Sequence, residues 1–443
     1  MTSLHSIFFE KHLSDTDVEI SRLINLEEQR RKAQIELIAP KNYLSVSSRE
    51  ALNSFMSFTS VEGYPGKRYH AGVANIDAIE RLAIARAKEM FEAAHANVQP
   101  HSGTQANQAA YFALLQPGDV VLSMDLASGG HLSHGLKVNL SGRWFTTISY
   151  KTNDSGYIDY AQMGELAEKY HPKLIIVGGS SYPRAINFEE AANIAARVGA
   201  YTLADIAHFS GLIVGKQYPS PFPYIDIITT TTNKNLRGPR GGLILTRDED
   251  LGKRIDAAVF PGIQGGPLPE MITAKAVCFG EALTQEFCLY ADRVLSNART
   301  MASAFLEAGL DVVTGGTDTP LVVIDLRKTR LTGAQAQAVL EAHGITTNRN
   351  IVPNDPQKPN VTSGLRLGTS AISARGVGPE DARSIAQIVA RLLHLANDSD
   401  VLAETPDRKA IAQVRELSAA FPVYPAKTRA DDVHESRRTT GLA

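Results

Sequence analysis

Short apolar runs that alternate with helical patterns are the feature of this chain that most limits its possible fold. A helical pattern such as Phe188 to Val198 separates several of these runs. Continuous apolar strands alternating with helices predict an α/β fold in which a mostly parallel sheet is covered on both faces. Ligands bind such sheets beyond the carboxyl ends of the strands. The four runs are VVLSM at 120–124, LIIV at 174–177, IDII at 225–228 and LILT at 243–246.

The regions before and after these runs have different sequence patterns. Residues 15 to 38 are charged and helical and end in the apolar residues Ile35, Leu37 and Ile38, and a helical spacing of apolar residues follows from Ile76 to Phe91. After residue 300, DVVTGG, LVVIDL, GAQAQAVLEAHG and a long helical pattern predict a smaller α+β domain. We therefore expect an N-terminal helical arm (1–50), a large α/β domain (51–295), a small C-terminal α+β domain (296–425) and a polar tail (426–443).

Composition argues against several classes of protein. The 443 residues carry a net charge of -2, so charge gives no reason to expect a nucleic-acid or membrane partner. The chain lacks an apolar run of about 18 residues and a signal-peptide pattern at its start. Its two cysteines, Cys278 and Cys288, lie in an apolar helical pattern that predicts buried thiols and no metal site or disulfide framework. We expect a cytoplasmic protein.

The segment TTTTNKNLRGPRGG places a single lysine, Lys234, beyond the predicted strand IDII. A lysine amine at a strand end can form a Schiff base with a carbonyl compound. Many lysines in such positions are ordinary surface residues. The other polar segments of the chain therefore have to distinguish a Schiff-base lysine from a surface lysine.

Three other polar segments supply what pyridoxal phosphate requires. The motif DIAH puts Asp205 at a strand end, where a carboxylate can pair with a protonated pyridine nitrogen. The motif HSGTQAN puts Ser102, Gly103 and Thr104 at the start of a helix, where free backbone N–H groups bind phosphate. The motif SGGHLSHG puts His131 where its flat ring could stack on a planar cofactor. Each signal has an ordinary structural explanation, but the combination predicts a pyridoxal phosphate site.

With these segments in view, the chain resembles the serine hydroxymethyltransferase family from about residue 30 to 380. The resemblance implies the aspartate-aminotransferase-like fold (fold type I) of pyridoxal phosphate enzymes, with active sites shared across a homodimer or a dimer of dimers. It also implies pyridoxal 5'-phosphate as cofactor and tetrahydrofolate as co-substrate. The stretches that carry it are EGYPGKRY, NVQPHSGTQAN, GGHLSHG, DIAHFSGL, TTTTNKNLRGPRGG, VFPGIQGGP and NVTSGLRLGTSAISARG.

The resemblance implies a role for each matched residue. Lys234 binds the cofactor, Asp205 pairs with its ring nitrogen, and His131 stacks on the ring. Glu62 handles a proton across the dimer. Besides Lys234, Asp205 and His131, the cofactor positions are Ser102, Gly103, Thr104, Ser181, His208, Thr231, Asn233 and, acting in the partner subunit's site, Gly265 and Gly266.

The same resemblance places the amino-acid substrate and the folate. Arg366 is expected to hold the substrate carboxylate, because its planar guanidinium fits a carboxylate with two hydrogen bonds. Ser60 and His70 are further substrate positions. The folate positions are Glu62, Tyr69, Leu126, Gly130, Leu132, Phe260 and Asn350.

Five positions near the expected reacting centre depart from the family pattern. Pro40 and Lys41 stand where the family usually has serine and glutamate, Ser60 and His70 where it usually has tyrosine, and Asn233 where it usually has histidine. Loss of the ring at Ser60 is expected to open volume near the phosphate and the lysine. Pro40 has neither a hydroxyl nor a backbone N–H donor. Asn233 can form hydrogen bonds but cannot carry a charge.

These residues predict a pyridoxal phosphate-dependent enzyme that cleaves or forms the Cα–Cβ bond of serine, with tetrahydrofolate as acceptor. Two alternatives stay open. The five departures favour the same chemistry on another β-hydroxy amino acid, as in an α-methylserine hydroxymethyltransferase or a threonine-type aldolase or transaldolase. The alternative from another class is a non-catalytic partner protein that binds pyridoxal phosphate.

Overall fold

The structure is a computed structural model that describes residues 9–398 and 406–424. Short 3-10 helices lie at Phe55–Phe58, Leu132–His134 and Val313–Gly315, and a π-helical segment lies at Ala258–Ile263. The α-helices are α1 (Leu13–Thr16), α2 (Val18–Ala33), α3 (Val46–Leu52), α4 (Ala74–Phe91), α5 (Gly103–Leu114), α6 (Leu140–Trp144), α7 (Tyr160–Tyr170), α8 (Phe188–Val198), α9 (Ser210–Val214), α10 (Glu249–Ala257), α11 (Pro269–Ala282), α12 (Gln285–Glu307), α13 (Gly333–Ala342), α14 (Ser370–Ala374), α15 (Pro379–Asp398) and α16 (Arg408–Ala420).

Fifteen strands are found within the described residues, and they form one large sheet, one smaller sheet and two short strand pairs. In chain order they are β1 (Ile35–Glu36), β2 (Gly63–Tyr64), β3 (Lys67–Arg68), β4 (His95–Asn97), β5 (Val120–Met124), β6 (Thr146–Tyr150), β7 (Leu174–Gly178), β8 (Tyr201–Asp205), β9 (Ile227–Thr231), β10 (Gly242–Thr246), β11 (Asp311–Val312), β12 (Leu321–Asp325), β13 (Ile345–Thr346), β14 (Asn348–Asn350) and β15 (Gly364–Gly368).

The large sheet has seven strands in the order β4-β10-β9-β8-β7-β5-β6. Strands β5 to β9 pair in parallel, whereas β10 is antiparallel to both of its neighbours, β9 and β4. The predicted α/β fold with a mostly parallel sheet is therefore confirmed. The run LILT forms the one reversed strand of this sheet.

Both faces of this sheet are buried, which explains why its strands are apolar throughout. In β7, Ile175 and Val177 pack into a core with helices α4, α7, α8 and α11. Their neighbours Leu174 and Ile176 point to the other face and pack with helices α5 and α10. Because successive side chains of a strand point to opposite faces, only a continuous apolar run can satisfy two cores.

The smaller sheet is antiparallel, with the order β11-β12-β15-β14. Strand β15 carries Arg366 and pairs with β12 along its whole length. The apolar residues 35–38 were expected to end the N-terminal helix, and this was wrong. Helix α2 ends at Ala33, and Ile35 begins a strand that pairs in parallel with β13. Burial of Ile35 and Leu37 in the core of the smaller sheet explains the change.

Helix α12 runs through the expected domain boundary at residues 295/296. Its first half contributes Tyr290 and Val294 to the core of the large sheet, and its second half contributes Met301 and Phe305 to the core of the smaller sheet. The domain limits remain predictions, and the polar tail at 426–443 lies outside the described residues. Among the described helices, none combines the length and apolar character needed to cross a bilayer.

Candidate active site

Lys234 lies in the loop between β9 and β10, at the edge where parallel strands end. The strand predicted at 225–228 starts and ends later in the structure, because β9 runs from Ile227 to Thr231. Thr229 is only 1% exposed, and its hydroxyl donates to Asn107 Oδ1 at 2.6 Å. This hydrogen bond lets a polar side chain occupy a buried strand position.

The environment of the Lys234 amine suits a nucleophile. Burial lowers the pKa of Lys234 to about 8, against the attraction of the Asp205 carboxylate, and the charges of Arg366 and Arg240 lower it further. A larger share of the amine is therefore neutral near physiological pH, and the neutral amine is the form that attacks a carbonyl. The backbone of Lys234 is also held, because Asn42 Nδ2 donates to its carbonyl at 2.8 Å.

Asp205 is the last residue of β8 and lies in a buried hydrogen-bond cluster. Its Oδ2 accepts from His134 Nε2 at 3.0 Å and from Asn107 Nδ2 at 2.9 Å, and its Oδ1 accepts from the Ala207 N–H at 3.1 Å. Burial alone would raise the pKa of Asp205, but the hydrogen bond and charge of His134, together with the charge of Lys234, hold it well below its usual range. The site therefore keeps a charged carboxylate that can stabilise a proton on a ring nitrogen.

Two other histidines at this site are held neutral. Burial lowers the pKa of His131 to about 4, and burial together with Lys234 holds the pKa of His208 well below its usual range. His131 Nδ1 lies 2.6 Å from Ser133 Oγ, which orients the ring. A neutral, oriented imidazole is suited to stacking on a flat heteroaromatic ring.

The start of helix α5 forms a cradle for an anion. Ser102 caps the helix by accepting from the Gln105 N–H at 3.2 Å, and the first N–H groups of a helix have no partner within it. A Cβ on Gly103 would lie 2.5 Å from Thr231 Cγ2, so only glycine fits this approach. The buried Thr231 hydroxyl has no hydrogen-bond partner among the described residues. These N–H donors, which include that of Thr104, and the unpartnered hydroxyl fit a phosphate group.

Arg366 brings the smaller sheet to the site. Its Nη1 donates to the Ser180 carbonyl, and its Nε donates to Asn348 Oδ1 at 3.2 Å. Ser180 follows strand β7 and precedes the buried Ser181. The Ser180 hydroxyl donates to the Gly130 carbonyl at 3.0 Å. Burial lowers the pKa of Arg366 to about 10, which still leaves a full positive charge at neutral pH.

A second group of predicted residues collects around the β2–β3 hairpin. The Tyr69 N–H donates to the Glu62 carbonyl at 3.1 Å, and the rings of Tyr69 and Phe260 lie 5.8 Å apart. A Cβ on Gly266 would lie 3.6 Å from Glu62 Cγ, and the neighbouring Gly265 faces open space. Within the described part of the chain, no hydrogen bond or ion pair joins these five residues to the groups around Asp205 and Lys234.

The other predicted folate positions lie on the Asp205 side. Asn350 lines a small cavity together with residues 127–129, which lie between Leu126 and Gly130 in the sequence. A Cβ on Gly130 would lie 2.2 Å from the Met124 carbonyl oxygen, so this turn requires glycine. Leu126 and Leu132, close to this turn in the sequence, have exposed apolar side chains. Within the described residues, no hydrogen bond or ion pair joins these folate positions to those around the β2–β3 hairpin.

The five departures from the family pattern also divide. Ser60 and His70 are exposed near the hairpin, whereas Asn233 is half-buried beside Lys234. Pro40 and Lys41 lie in the loop after β1, where Lys41 Nζ forms an ion pair with Glu36 Oε2 at 2.9 Å.

Sequence reasoning missed the residues that hold the expected ones in place. These are His134 and Asn107 on Asp205, and Ser180 and Asn348 on Arg366. The second histidine of GGHLSHG was the available signal, because it follows the first at the spacing of one 3-10 turn. His131, His134 and Asp205 also place three ligand atoms within 4.8 Å of one another, a spacing that a metal ion could use. Two of these atoms, His134 Nε2 and Asp205 Oδ2, are joined by a direct hydrogen bond in the structure.

This fold and this site define the class of fold-type I pyridoxal phosphate enzymes. Within that class, the family model for serine hydroxymethyltransferase matches residues 13–389. The chain therefore belongs to the serine hydroxymethyltransferase family.

Similarity to curated relatives extends over nearly the whole chain. Serine hydroxymethyltransferase 1 of Rhodospirillum rubrum is 50% identical over 413 residues, which cover 93% of this chain and 94% of that protein. The serine hydroxymethyltransferase of Paramagnetospirillum magneticum is 50% identical over 421 residues, covering 94% of this chain and 98% of that protein. That of Nostoc punctiforme is 50% identical over 426 residues, covering 96% and 98%.

Proposed function

We propose that this chain transfers the hydroxymethyl group of serine to tetrahydrofolate and releases glycine. The observation that carries the proposal is the convergence of the Lys234 amine, the Asp205 carboxylate and the Arg366 guanidinium on one buried site. An aldehyde cofactor and an α-amino acid need these three groups together. The high identity to named serine hydroxymethyltransferases supports serine as the substrate.

The residues of the site fit pyridoxal 5'-phosphate. Lys234 would hold its aldehyde carbon, Asp205 its ring nitrogen and His131 one face of its ring. The start of helix α5 and the unpartnered Thr231 hydroxyl would hold the phosphate. When bound, this cofactor supplies an electron sink that makes cleavage at Cα possible.

The chain's own residues supply binding, orientation and proton placement. Arg366 binds the substrate carboxylate, and its anchoring to Ser180 and Asn348 sets the direction of the guanidinium. Asp205 keeps its charge because His134 donates to it, so it can hold a proton at a ring nitrogen. Glu62 is proposed to move a proton at the hydroxyl of the substrate. Placement of these groups before reaction lowers the entropic cost of reaching the transition state.

Glu62 and its neighbours are proposed to act in the site of a partner subunit, in a homodimer or a dimer of dimers. Within the described residues of one chain, no hydrogen bond or ion pair joins the Glu62 group to Asp205 or Lys234, and this supports the arrangement. Phe55 and Phe58, which precede Glu62 in the chain, have large apolar side chains that are 77% and 73% exposed. Exposed aromatic side chains of this kind are typical of interaction surfaces. A role in one-carbon and amino-acid metabolism follows from this function, and we propose the cytoplasm as its location.

A second candidate is the same chemistry on another β-hydroxy amino acid. Aldol cleavage of threonine or transfer from α-methylserine would use the same Lys234, Asp205 and Arg366. The observation that favours this candidate is the altered loop before Asn42, where Pro40 and Lys41 replace the usual residues close to the strand of Arg366.

A substrate panel tests both candidates. Purified protein with pyridoxal phosphate is given serine, α-methylserine, threonine or allo-threonine, each with and without tetrahydrofolate, and the amino-acid products are quantified. We expect the highest kcat/KM for serine with tetrahydrofolate. A preference for α-methylserine or threonine would establish the second candidate. Cofactor binding without turnover of any substrate would point to a non-catalytic partner protein.

A further inference from the structure

The loop after strand β1 contacts both the segment of Lys234 and the strand of Arg366. At one end, Asn42 Nδ2 donates to the Lys234 carbonyl at 2.8 Å. At the other end, the N–H of Gly368, two residues beyond Arg366 in β15, donates to the Leu37 carbonyl at 2.7 Å. One short loop therefore touches the supports of both the amine and the guanidinium.

The contact between this loop and β15 is close. A Cβ on Gly368 would lie 2.4 Å from Ala39 Cα, so the loop backbone packs directly on the strand. At the Lys234 end, Asn42 Nδ2 also lies 2.9 Å from the Tyr290 hydroxyl, and Tyr290 donates to the Asn235 carbonyl at 3.2 Å. The two successive carbonyls of Lys234 and Asn235 are thereby held from one side.

The ion pair of Glu36 and Lys41 closes the loop. Glu36 is 4% exposed, and its Oε2 accepts from Lys41 Nζ at 2.9 Å. Its Oε1 accepts from the Ile38 N–H at 3.1 Å and from Thr346 Oγ1 at 2.5 Å. The Lys41 N–H donates to the Ile38 carbonyl at 2.9 Å, which makes the turn. Within the described residues, Lys41 is the one basic side chain that forms an ion pair with Glu36.

We propose that Lys41 and Asn42 are positioning residues: the ion pair of Lys41 with Glu36 fixes the loop, and Asn42 transmits that position to Lys234. The proposal rests on the proposed function, because the spacing of Lys234 and Arg366 matters only when an amino acid bridges the two. A small misplacement of a reacting group is enough to lower a rate strongly.

Burial makes the two members of the pair unequal, and this gives a sharp test. Lys41→Ala leaves the buried Glu36 carboxylate without its cation, whereas Glu36→Gln leaves an ammonium whose side chain is already 39% exposed. We expect Lys41→Ala to be more harmful than Glu36→Gln. The double variant Lys41→Ala/Glu36→Gln should recover most of the loss, and Lys41→Arg should behave like the parent. The control is Lys328→Ala, which removes an exposed lysine paired with Asp311 at 2.8 Å.

The first measurement uses cofactor binding alone and needs no turnover. Pyridoxal phosphate is added to each apoprotein, and the visible absorbance of the cofactor joined to Lys234 is followed against pH. Loosening the loop admits water to the Lys234 nitrogen, and water favours the protonated form of that nitrogen. The pH at which half of the absorbance change has occurred (the pH midpoint) should therefore rise by roughly 0.5 to 1 unit in Lys41→Ala. The charged and titratable groups that face the amine, Asp205, Arg366, Arg240, His131 and His208, are the same in every variant.

The second measurement is the split between kcat and KM for the amino acid that the parent turns over best. We expect Lys41→Ala to raise KM about 3-fold to 10-fold and to lower kcat, because Lys234 and Arg366 no longer keep their spacing. A merely structural role would lower the melting temperature and leave the pH midpoint and KM where they are in the parent. That result would overturn the proposal.

Asn42→Ala is the second variant, for use if Lys41→Ala does not fold. It removes the amide that donates to Lys234 and leaves the ion pair in place, and it should shift the pH midpoint in the same direction. An unshifted midpoint in a folded Asn42→Ala variant also overturns the proposal. If the parent binds cofactor but does not act on serine, the proposed function fails, and the pH midpoints still decide the role of the loop.

Discussion

His134 Nε2 donates to Asp205 Oδ2 across 3.0 Å, and the histidine side chain is completely buried. Asn107 donates to the same oxygen, so two donors from different elements keep this carboxylate charged in a site where burial works against its charge. His134 lies behind the residue that is expected to contact the ring nitrogen of the cofactor. It is therefore a candidate for control of cofactor affinity without contact with the substrate.

Replacement of His134 by alanine should weaken pyridoxal phosphate binding. Loss of one charge-assisted hydrogen bond to a buried carboxylate costs on the order of 1.5–3 kcal/mol, which corresponds to roughly 10-fold to 100-fold in Kd. Titration of the apoprotein with cofactor, followed by visible absorbance, measures this. The exposed His171, which forms no hydrogen bond or ion pair with these residues, supplies the control variant His171→Ala. An unchanged Kd in His134→Ala would show that the remaining donors, Asn107 Nδ2 and the Ala207 N–H, are sufficient to maintain Asp205.

Lys234→Ala should abolish turnover and the visible band of the lysine-linked cofactor. The reason is that this substitution removes the amine that burial keeps partly neutral, with a pKa of about 8. Spectra and activity are recorded with excess pyridoxal phosphate. Lys216→Ala, at an exposed lysine whose side chain is 71% exposed, should leave both unchanged. A Lys234→Ala spectrum identical to that of the parent would remove this residue from the mechanism.

Arg366→Ala should raise KM for amino acids strongly and leave cofactor affinity nearly intact. A buried, charge-assisted contact to a carboxylate costs about 2–5 kcal/mol when one partner is truncated. Steady-state kinetics with a cofactor titration separates the two effects. Arg327→Ala, an exposed arginine paired with Asp325, is the matched control. Equal KM values in Arg366→Ala and the parent would place the substrate elsewhere.

The stability of the apoprotein should fall as the pH drops from about 6.5 to 4, in part through His131. Burial lowers the pKa of this imidazole to about 4 in the folded chain, so the unfolded chain binds more protons over this range. The contribution of His131 to the free energy of unfolding is fully present above the pKa of the unfolded state and is lost as the pH falls, and its upper limit is about 3 kcal/mol. Denaturant unfolding of the parent and His131→Asn at several pH values measures it. The variant should show a shallower decline, and parallel curves would contradict the assignment.

Restoring the family residues at three departures should move activity toward serine if those departures changed the substrate. The variant Ser60→Tyr/His70→Tyr/Asn233→His returns an aromatic ring at the exposed positions 60 and 70 and a histidine beside Lys234. The ratio of kcat/KM for serine with tetrahydrofolate to that for α-methylserine is compared in parent and variant. The three positions are expected to be coupled, so single reversions are weak tests. If the parent already prefers serine and the ratio does not change, the departures have no role in substrate choice.

Much of the fold could be predicted because buried strands and amphipathic helices leave simple patterns. VVLSM and Phe188–Val198 have the predicted limits in the structure. Residues 35–38 were misassigned because a short apolar run fits the end of a helix and a buried strand equally well. The direction of β10 was not predicted either, since a short apolar run such as LILT is equally compatible with a parallel and an antiparallel strand.

The sequence by itself determined which groups are available for chemistry, because Lys234, Asp205 and the Ser102 cap each follow or precede a recognisable strand or helix. Only the tertiary structure decided what holds them. His134, Asn107 and Ser180 are separated from their partners by 71, 98 and 186 residues along the chain. Pairing over such distances depends on strand order and helix packing, which local patterns do not encode. The charge state of Asp205 follows from that pairing, since burial alone would have favoured its neutral form.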